Sequence, residues 1–193
     1  MTADAIRLDA PVDDRGALTA LRAGDRVLLS GVVYTARDAA HRRIVDLIDA
    51  GEELPFPLAG SVIYYCGPAP ARPGHALGSA GPTSSYRMDP FAPTLLDNGL
   101  AGIIGKGPRS ERVAEALRAN DAVYFAATGG AGALLSHCVE SSEVVAWPEL
   151  GTEAVRRLRV RDMPLVVALD ARGGDVYRDG PRAYLASRGL RQG

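Results

Sequence analysis

Residues 26–50 read RVLLSGVVYTARDAAHRRIVDLIDA. Over 26–33 the pattern is that of an apolar strand. From 36 to about 50 it changes to helical spacing, with Ala40, Ile44, Leu47 and Ile48 on a single face. Thr35, with Asp38 three residues on, reads as a capping box for that helix. A strand feeding straight into a helix is the building unit of an α/β fold, and the pattern recurs downstream.

A second strand is expected over 61–66 (SVIYYC), a short helix near 92–98 and a strand over 101–104. Ser110 can cap a helix through Arg118, and 122–127 is a buried-strand pattern. Gly129-Gly130 opens a helix over 131–139, followed by a strand over 143–147. Three further strands are expected over 156–160, 165–169 and 175–177, with a Gly173-Gly174 turn between the last two. Strands alternating with helices and then a β-rich tail indicate an α/β fold with a mixed sheet and flanking helices. There is no internal repeat, so one domain over 1–193 is the expectation.

Composition narrows the function. The chain has 193 residues, 47% hydrophobic and 23% charged, with a net charge of −1. A nucleic-acid or anionic-membrane surface needs a clear basic excess, so neither partner is expected. No apolar run approaches the roughly 20 residues of a membrane span, and the acidic start MTADAIRLDAPVDD is no signal peptide, which points to the cytoplasm. Cys66 and Cys138 are too few for a disulfide scaffold or for a metal cluster held by this chain alone.

Three segments could carry chemistry. Arg37 lies in the first turn of the expected helix, where the dipole favours acids, so it asks for a carboxylate or phosphate beside it. The plain alternative is a surface arginine paired with a nearby acid. Asp38 is sufficiently explained as a cap, and a histidine such as His41 is more often packed than catalytic. The stretch 67–89 is too long for an ordinary connection. Its part from Gly74 to Asp89 (GHALGSAGPTSSYRMD) offers hydroxyls and the Arg87 guanidinium, although a flexible linker has the same composition. Gly105-Lys106-Gly107 holds the only lysine among 22 basic residues, either a chance survivor or a compact ammonium that a guanidinium cannot replace, and the flanking glycines favour the second. It lacks the spacing of a P-loop. Arg37, Arg87 and Lys106, with Thr/Ser hydroxyls between them, suggest a small polyanion site in an α/β domain.

At these residues the chain resembles the β subunit, or C-terminal domain, of the class I iron–sulfur fumarate hydratases and L(+)-tartrate dehydratases. The stretches that carry the likeness are Ser30-Gly-Val-Val-Tyr-Thr-Ala-Arg-Asp-Ala-Ala-His41, Tyr65-Cys-Gly-Pro-Ala-Pro70, Gly78-Ser-Ala-Gly-Pro-Thr83 with Arg87-Met-Asp89, Gly102-Ile-Ile-Gly-Lys-Gly107 and Trp147-Pro-Glu-Leu-Gly-Thr-Glu-Ala154. Cys66 and the pair His137-Cys138 depart from the usual residues there. The resemblance implies a swivelling β/β/α domain. It implies a 4Fe–4S cluster held by three cysteines of a separate α subunit, with none bound by this chain alone. The open iron would act as a Lewis acid on the substrate. By the same likeness Arg37, Arg87 and Lys106 bind the substrate carboxylates and Thr83 sits at the carbon that loses its proton. The implied enzyme is a reversible hydro-lyase, an α2β2 hetero-oligomer acting on a four-carbon dicarboxylate, with fumarate favoured over tartrate as the more widespread role. The alternative from another class is a non-catalytic anion-binding module that has lost its partner.

Overall fold

Strand β2, Arg26–Thr35, is the strand around which the others are arranged in the computed structural model, which describes residues 5–128 and 130–189. One edge of β2 pairs in parallel with β1 (Ile6–Ala10) and, further along, with β3 (Val62–Tyr64). Its other edge pairs antiparallel with β7 (Val155–Leu169) from Arg26 to Thr35. Beyond β3 come β4 (Gly102–Gly105) and β5 (Val123–Ala126), both parallel to it, and β5 meets β7 antiparallel. The β2–β7 ladder therefore closes β2, β3, β4, β5 and β7 into a ring, with β1 and β6 (Val139–Ala146) attached in a sheet of seven strands. The mixed sheet with flanking helices is as the sequence pattern indicated.

Strand residues alternate between two cores because successive side chains leave a strand on opposite faces. Val62, Tyr64, Ile104, Val123 and Phe125 join one apolar cluster with Leu18, Leu29, Val33 and Val160. Ile63, Ile103 and Tyr124 join the other, against α2 (Asp38–Ala50), α3 (Ala92–Asp97) and α4 (Glu111–Ala119) through Ile44, Leu95, Leu96, Val113 and Leu117. Burying one such side chain contributes about 1.5–3 kcal/mol, which is why both faces of the short central strands are apolar. The parallel strands β2 to β5 all end at the same edge of the sheet, and in α/β folds ligands bind there.

Several expectations change. Strand β1 and helix α1 (Arg15–Ala20), capped by Asp14, precede the first expected element. The two strands expected over 156–160 and 165–169 are one strand, β7. Pro164 suggested a break, but from 163 to 165 β7 has β2 as its single neighbour, since the β6 side ends with the Arg161 N–H on the Cys138 carbonyl and β5 pairs from Val166. A missing N–H is tolerated on such an open edge. The strand expected over 175–177 is the start of α6 (Val176–Ser187), because the Asp175 carboxylate accepts from the Tyr177 and Arg178 N–H groups and caps a helix. Helix α5 spans Gly132–His137 and β6 already begins at Val139; Gly129 lies outside the described residues.

Candidate functional site

The turn from β2 into α2 sets Arg37 at the helix N-cap with extended backbone, and no side chain of its own segment caps the helix. The expected capping box is absent. Thr35 is buried and its hydroxyl accepts from the Arg156 N–H at 3.1 Å, while Asp38 is the first helical residue. The Asp38 carboxylate instead faces two arginines. Its Oδ1 is 2.9 Å from Arg87 Nε and its Oδ2 is 3.8 Å from Arg37 Nη2. A second carboxylate, Glu153, lies 3.3 Å from Arg37 Nη2 and accepts from the Ala39 N–H at 3.0 Å. So the anion that Arg37 calls for is supplied here by two acids of the chain. Gly67 makes room for this arrangement, since a Cβ there would lie 3.0 Å from Arg37 Nη1 and 2.9 Å from the Thr152 carbonyl oxygen.

Arg87 stands on a 3-10 turn, Ser85–Met88, with its side chain 42% exposed. Asp38, Arg42, Arg87, Phe91 and Glu153 line an open cleft of about 600 Å³. The stretch 67–89 is tied down at Ala69 and from Gly78 onward. Ala69 bonds Ser79 and Gly78, Tyr64 Oη donates to the Ala80 carbonyl, and the Thr83 N–H donates to the Tyr65 carbonyl at 2.7 Å. Ser84 bridges Lys106, and the Ser85 N–H donates to the Lys106 carbonyl at 3.1 Å. Thr83 and Arg87 are thereby fastened to the strand end that carries Lys106.

The two glycines beside Lys106 have reasons that spacing alone did not reveal. A Cβ at Gly105 would lie 1.9 Å from Ser85 Oγ, which accepts from the Lys106 N–H at 3.0 Å, and Gly107 has φ +83°. Both backbone groups of Lys106 are engaged, while its ammonium has no hydrogen bond or ion pair among the described residues. Lys106, Thr83, Arg87 and Arg37 thus all stand on segments at the C-terminal edge of β2, β3 and β4.

Behind this edge lies a polar cluster that sequence reasoning missed. The Arg109 side chain is fully buried, donates from Nε to Asp89 Oδ1 at 2.7 Å, and places Cζ 5.3 Å and 5.0 Å from the Tyr65 and Tyr124 ring centres. The other Asp89 oxygen accepts from the Ser110 N–H at 2.7 Å. Tyr124 Oη donates to Ser85 Oγ or the Gly107 carbonyl, at 3.0 and 2.9 Å. His41 packs edge-on against Tyr65, and its Nδ1–H donates to the Arg37 carbonyl at 2.9 Å. Burial, assisted by the Arg109 charge, pushes the imidazole down to about 4, so it is neutral near pH 7. Burial also raises the Tyr65 and Tyr124 phenols. The signal for this cluster was Asp89 in the quoted Arg87-Met-Asp89 motif, together with an arginine three residues after Lys106.

The residues present do not fit an iron–sulfur cluster. Among the described residues no three His, Cys, Asp or Glu side chains group as metal ligands. Burial pushes the Cys66 thiol up to about 12, against the deprotonation that a metal ligand needs.

Residues 1–180 match the family Fumarase C-terminus. The chain is 38% identical over 175 residues to fumarate hydratase 2 of Leishmania major, covering 89% of this chain and 31% of that protein. To the anaerobic class I fumarate hydratase of Escherichia coli K12 it is 38% identical over 155 residues, 79% of this chain and 28% of that protein. The chain therefore spans less than a third of these two fumarate hydratases. A Methanocaldococcus jannaschii chain with the provisional name L(+)-tartrate dehydratase subunit beta is 37% identical over 165 residues, covering 82% of this chain and 85% of that one. With a family match over nearly its whole length, this chain belongs to the Fumarase C-terminus family.

Proposed function

We propose that this chain is the β subunit of a two-chain hydro-lyase that adds water reversibly to a four-carbon dicarboxylate, fumarate to (S)-malate. The observation that carries the reading is the sheet edge where Arg37 and Lys106 follow two strand ends and Thr83 and Arg87 lie on the segment fastened to them. The likeness to a chain named as a β subunit, over 82% of this chain and 85% of that one, supports the two-chain arrangement. On this reading the chain is a single swivelling β/β/α domain, and the 4Fe–4S cluster resides on the α subunit. The assembly is α2β2 in the cytoplasm.

Each residue has a definite task. Arg37 and Arg87 grip the substrate carboxylates, and the Lys106 ammonium adds a point charge where a guanidinium fork would be too wide. The carbon acid beside a carboxylate is weak, so the charge that develops on losing its proton needs fixed positive groups nearby. Thr83 handles that proton. Its hydroxyl is a poor base at its ordinary pKa and depends on the same positive field for activation, or on relaying the proton onward.

L(+)-tartrate is the second reading for the substrate, favoured by the likeness to the Methanocaldococcus jannaschii chain over 85% of that chain's length. Reconstitution with a cysteine-bearing α chain, assayed with fumarate and with L(+)-tartrate, decides between them. The expected result is turnover of fumarate by the pair and none by this chain alone. Turnover by the isolated chain, or by no combination of the two, overturns the proposal.

A further inference from the structure

Glu153 ends the 3-10 segment Pro148–Glu153, in the quoted Trp147 to Ala154 stretch to which the proposed chemistry assigns no task. This segment is clasped to α2 at two places. Arg43 lies over the Trp147 ring at 5.5 Å and pairs with Glu149. One turn nearer the helix start, Glu153 meets two donors at once. Its Oε2 accepts from the Ala39 N–H at 3.0 Å, and its Oε1 lies 3.3 Å from Arg37 Nη2. Helix α2 has no cap from its own segment, so Glu153 supplies one from 114 residues away. A carboxylate there also complements the positive end of the helix. Both side chains are mostly shielded, 20% exposed for Arg37 and 24% for Glu153. On its other side Arg37 is confined by the backbone at Gly67.

We propose that Glu153 is a positioning residue: its carboxylate couples the start of α2 to the guanidinium of Arg37 and fixes the direction in which that guanidinium meets a substrate carboxylate. The inference rests on the role proposed for Arg37. The chemistry requires a carboxylate in particular. Two donors converge on it, and a carboxylate offers two acceptor oxygens, whereas an amide offers one acceptor oxygen and an N–H₂ group that only donates. Glu153→Gln can therefore keep the helix cap or the guanidinium contact but not both. The Ala39 N–H is fixed by the helix, so the amide oxygen stays with it and turns an N–H₂ towards Arg37.

The test has two readouts. In the full isolated chain, the Arg37 Nε–Hε resonance in a nitrogen-15 spectrum, assigned by its loss in Arg37→Lys, should shift and broaden in Glu153→Gln while Tm stays near wild type. In the reconstituted pair, Glu153→Gln should raise KM for the dicarboxylate about five- to tenfold with kcat within about twofold, the pattern of a weakened uniform contact. Glu153→Ala should do the same and also lower Tm by about 2–6 °C through loss of the cap. The inference is overturned if Glu153→Gln leaves both the resonance and KM unchanged while Glu153→Ala lowers Tm, since Glu153 is then a helix cap alone. If the wild-type pair neither hydrates fumarate nor dehydrates tartrate, the functional reading fails, and the Arg37 resonance still decides the role of Glu153.

Discussion

Two arginine–carboxylate clusters lie within one segment of each other and differ in almost everything but chemistry. Arg109 and Asp89 are sealed, with side-chain exposures of 0% and 14%, and the guanidinium lies between two tyrosine rings. Arg87, Asp38 and Glu153 line a cleft that a ligand can enter, and Arg37, 20% exposed, is paired with the two acids at its wall. A buried pair cannot exchange its partner without stranding a charge, so it serves as scaffold. An open pair is worth little to stability, about 0–1 kcal/mol, and can exchange an internal carboxylate for an external one. The sealed cluster holds residues 84–89 and 105–110 together, and the open cluster uses the geometry that results.

The sharpest way to separate the regions is through rate and stability. Thr83→Ala in the reconstituted enzyme should lower kcat about 10²–10⁴-fold, as for a lost general base, with stability within about 0.5 kcal/mol. If it raises KM instead, Thr83 is a binding contact and the proton belongs to another group. Arg109→Ala should do the reverse. It leaves Asp89 partly buried without its cation and should cost about 3–5 kcal/mol in urea unfolding. Near-wild-type stability in that variant would erase the distinction between the clusters.

His41 on the sealed side gives a pH signature. Its folded pKa of about 4 lies below the ordinary 6.5, so the unfolded chain binds the extra proton between those values. Stability contributed by the neutral ring is complete above about pH 6.5 and is lost as pH falls towards 4, about 3 kcal/mol in all. Urea midpoints from pH 7 to pH 5 should fall in the wild type and flatten in His41→Asn; parallel curves would place the titration elsewhere. Arg87→Ala removes an exposed pair and should change unfolding by less than about 1 kcal/mol. Its effect should fall on KM, because a carboxylate clamp acts in ground and transition states alike.

Strand β2, helix α2 and the alternating central strands were legible because hydrophobic periodicity depends on neighbours along the chain. The cations Arg37, Arg87 and Lys106 stood out in the sequence as unusual residues, but the acids that pair with Arg37 and Arg87 did not. What was hidden depended on distant partners. The continuity of β7 through Pro164 follows from which strands flank it, and the cap on α2 comes from Glu153 rather than Thr35. Asp38 read as a cap and is instead the carboxylate between two arginines. The role of Arg109 depends on two tyrosines that enclose it, one just past β3 and one in β5, which no local pattern signals.

That Arg87 and Lys106 grip one and the same small dianion is the claim on which the proposed function turns. A double-mutant cycle on kcat/KM in the reconstituted enzyme, with Arg87→Ala, Lys106→Ala and both together, tests it most directly. Groups that hold one ligand lose its alignment together, so the account predicts a double variant less impaired than the product of the singles, with a coupling of at least about 1 kcal/mol. Strictly multiplicative losses would mean that the two cations act on separate ligands, and would contradict the account.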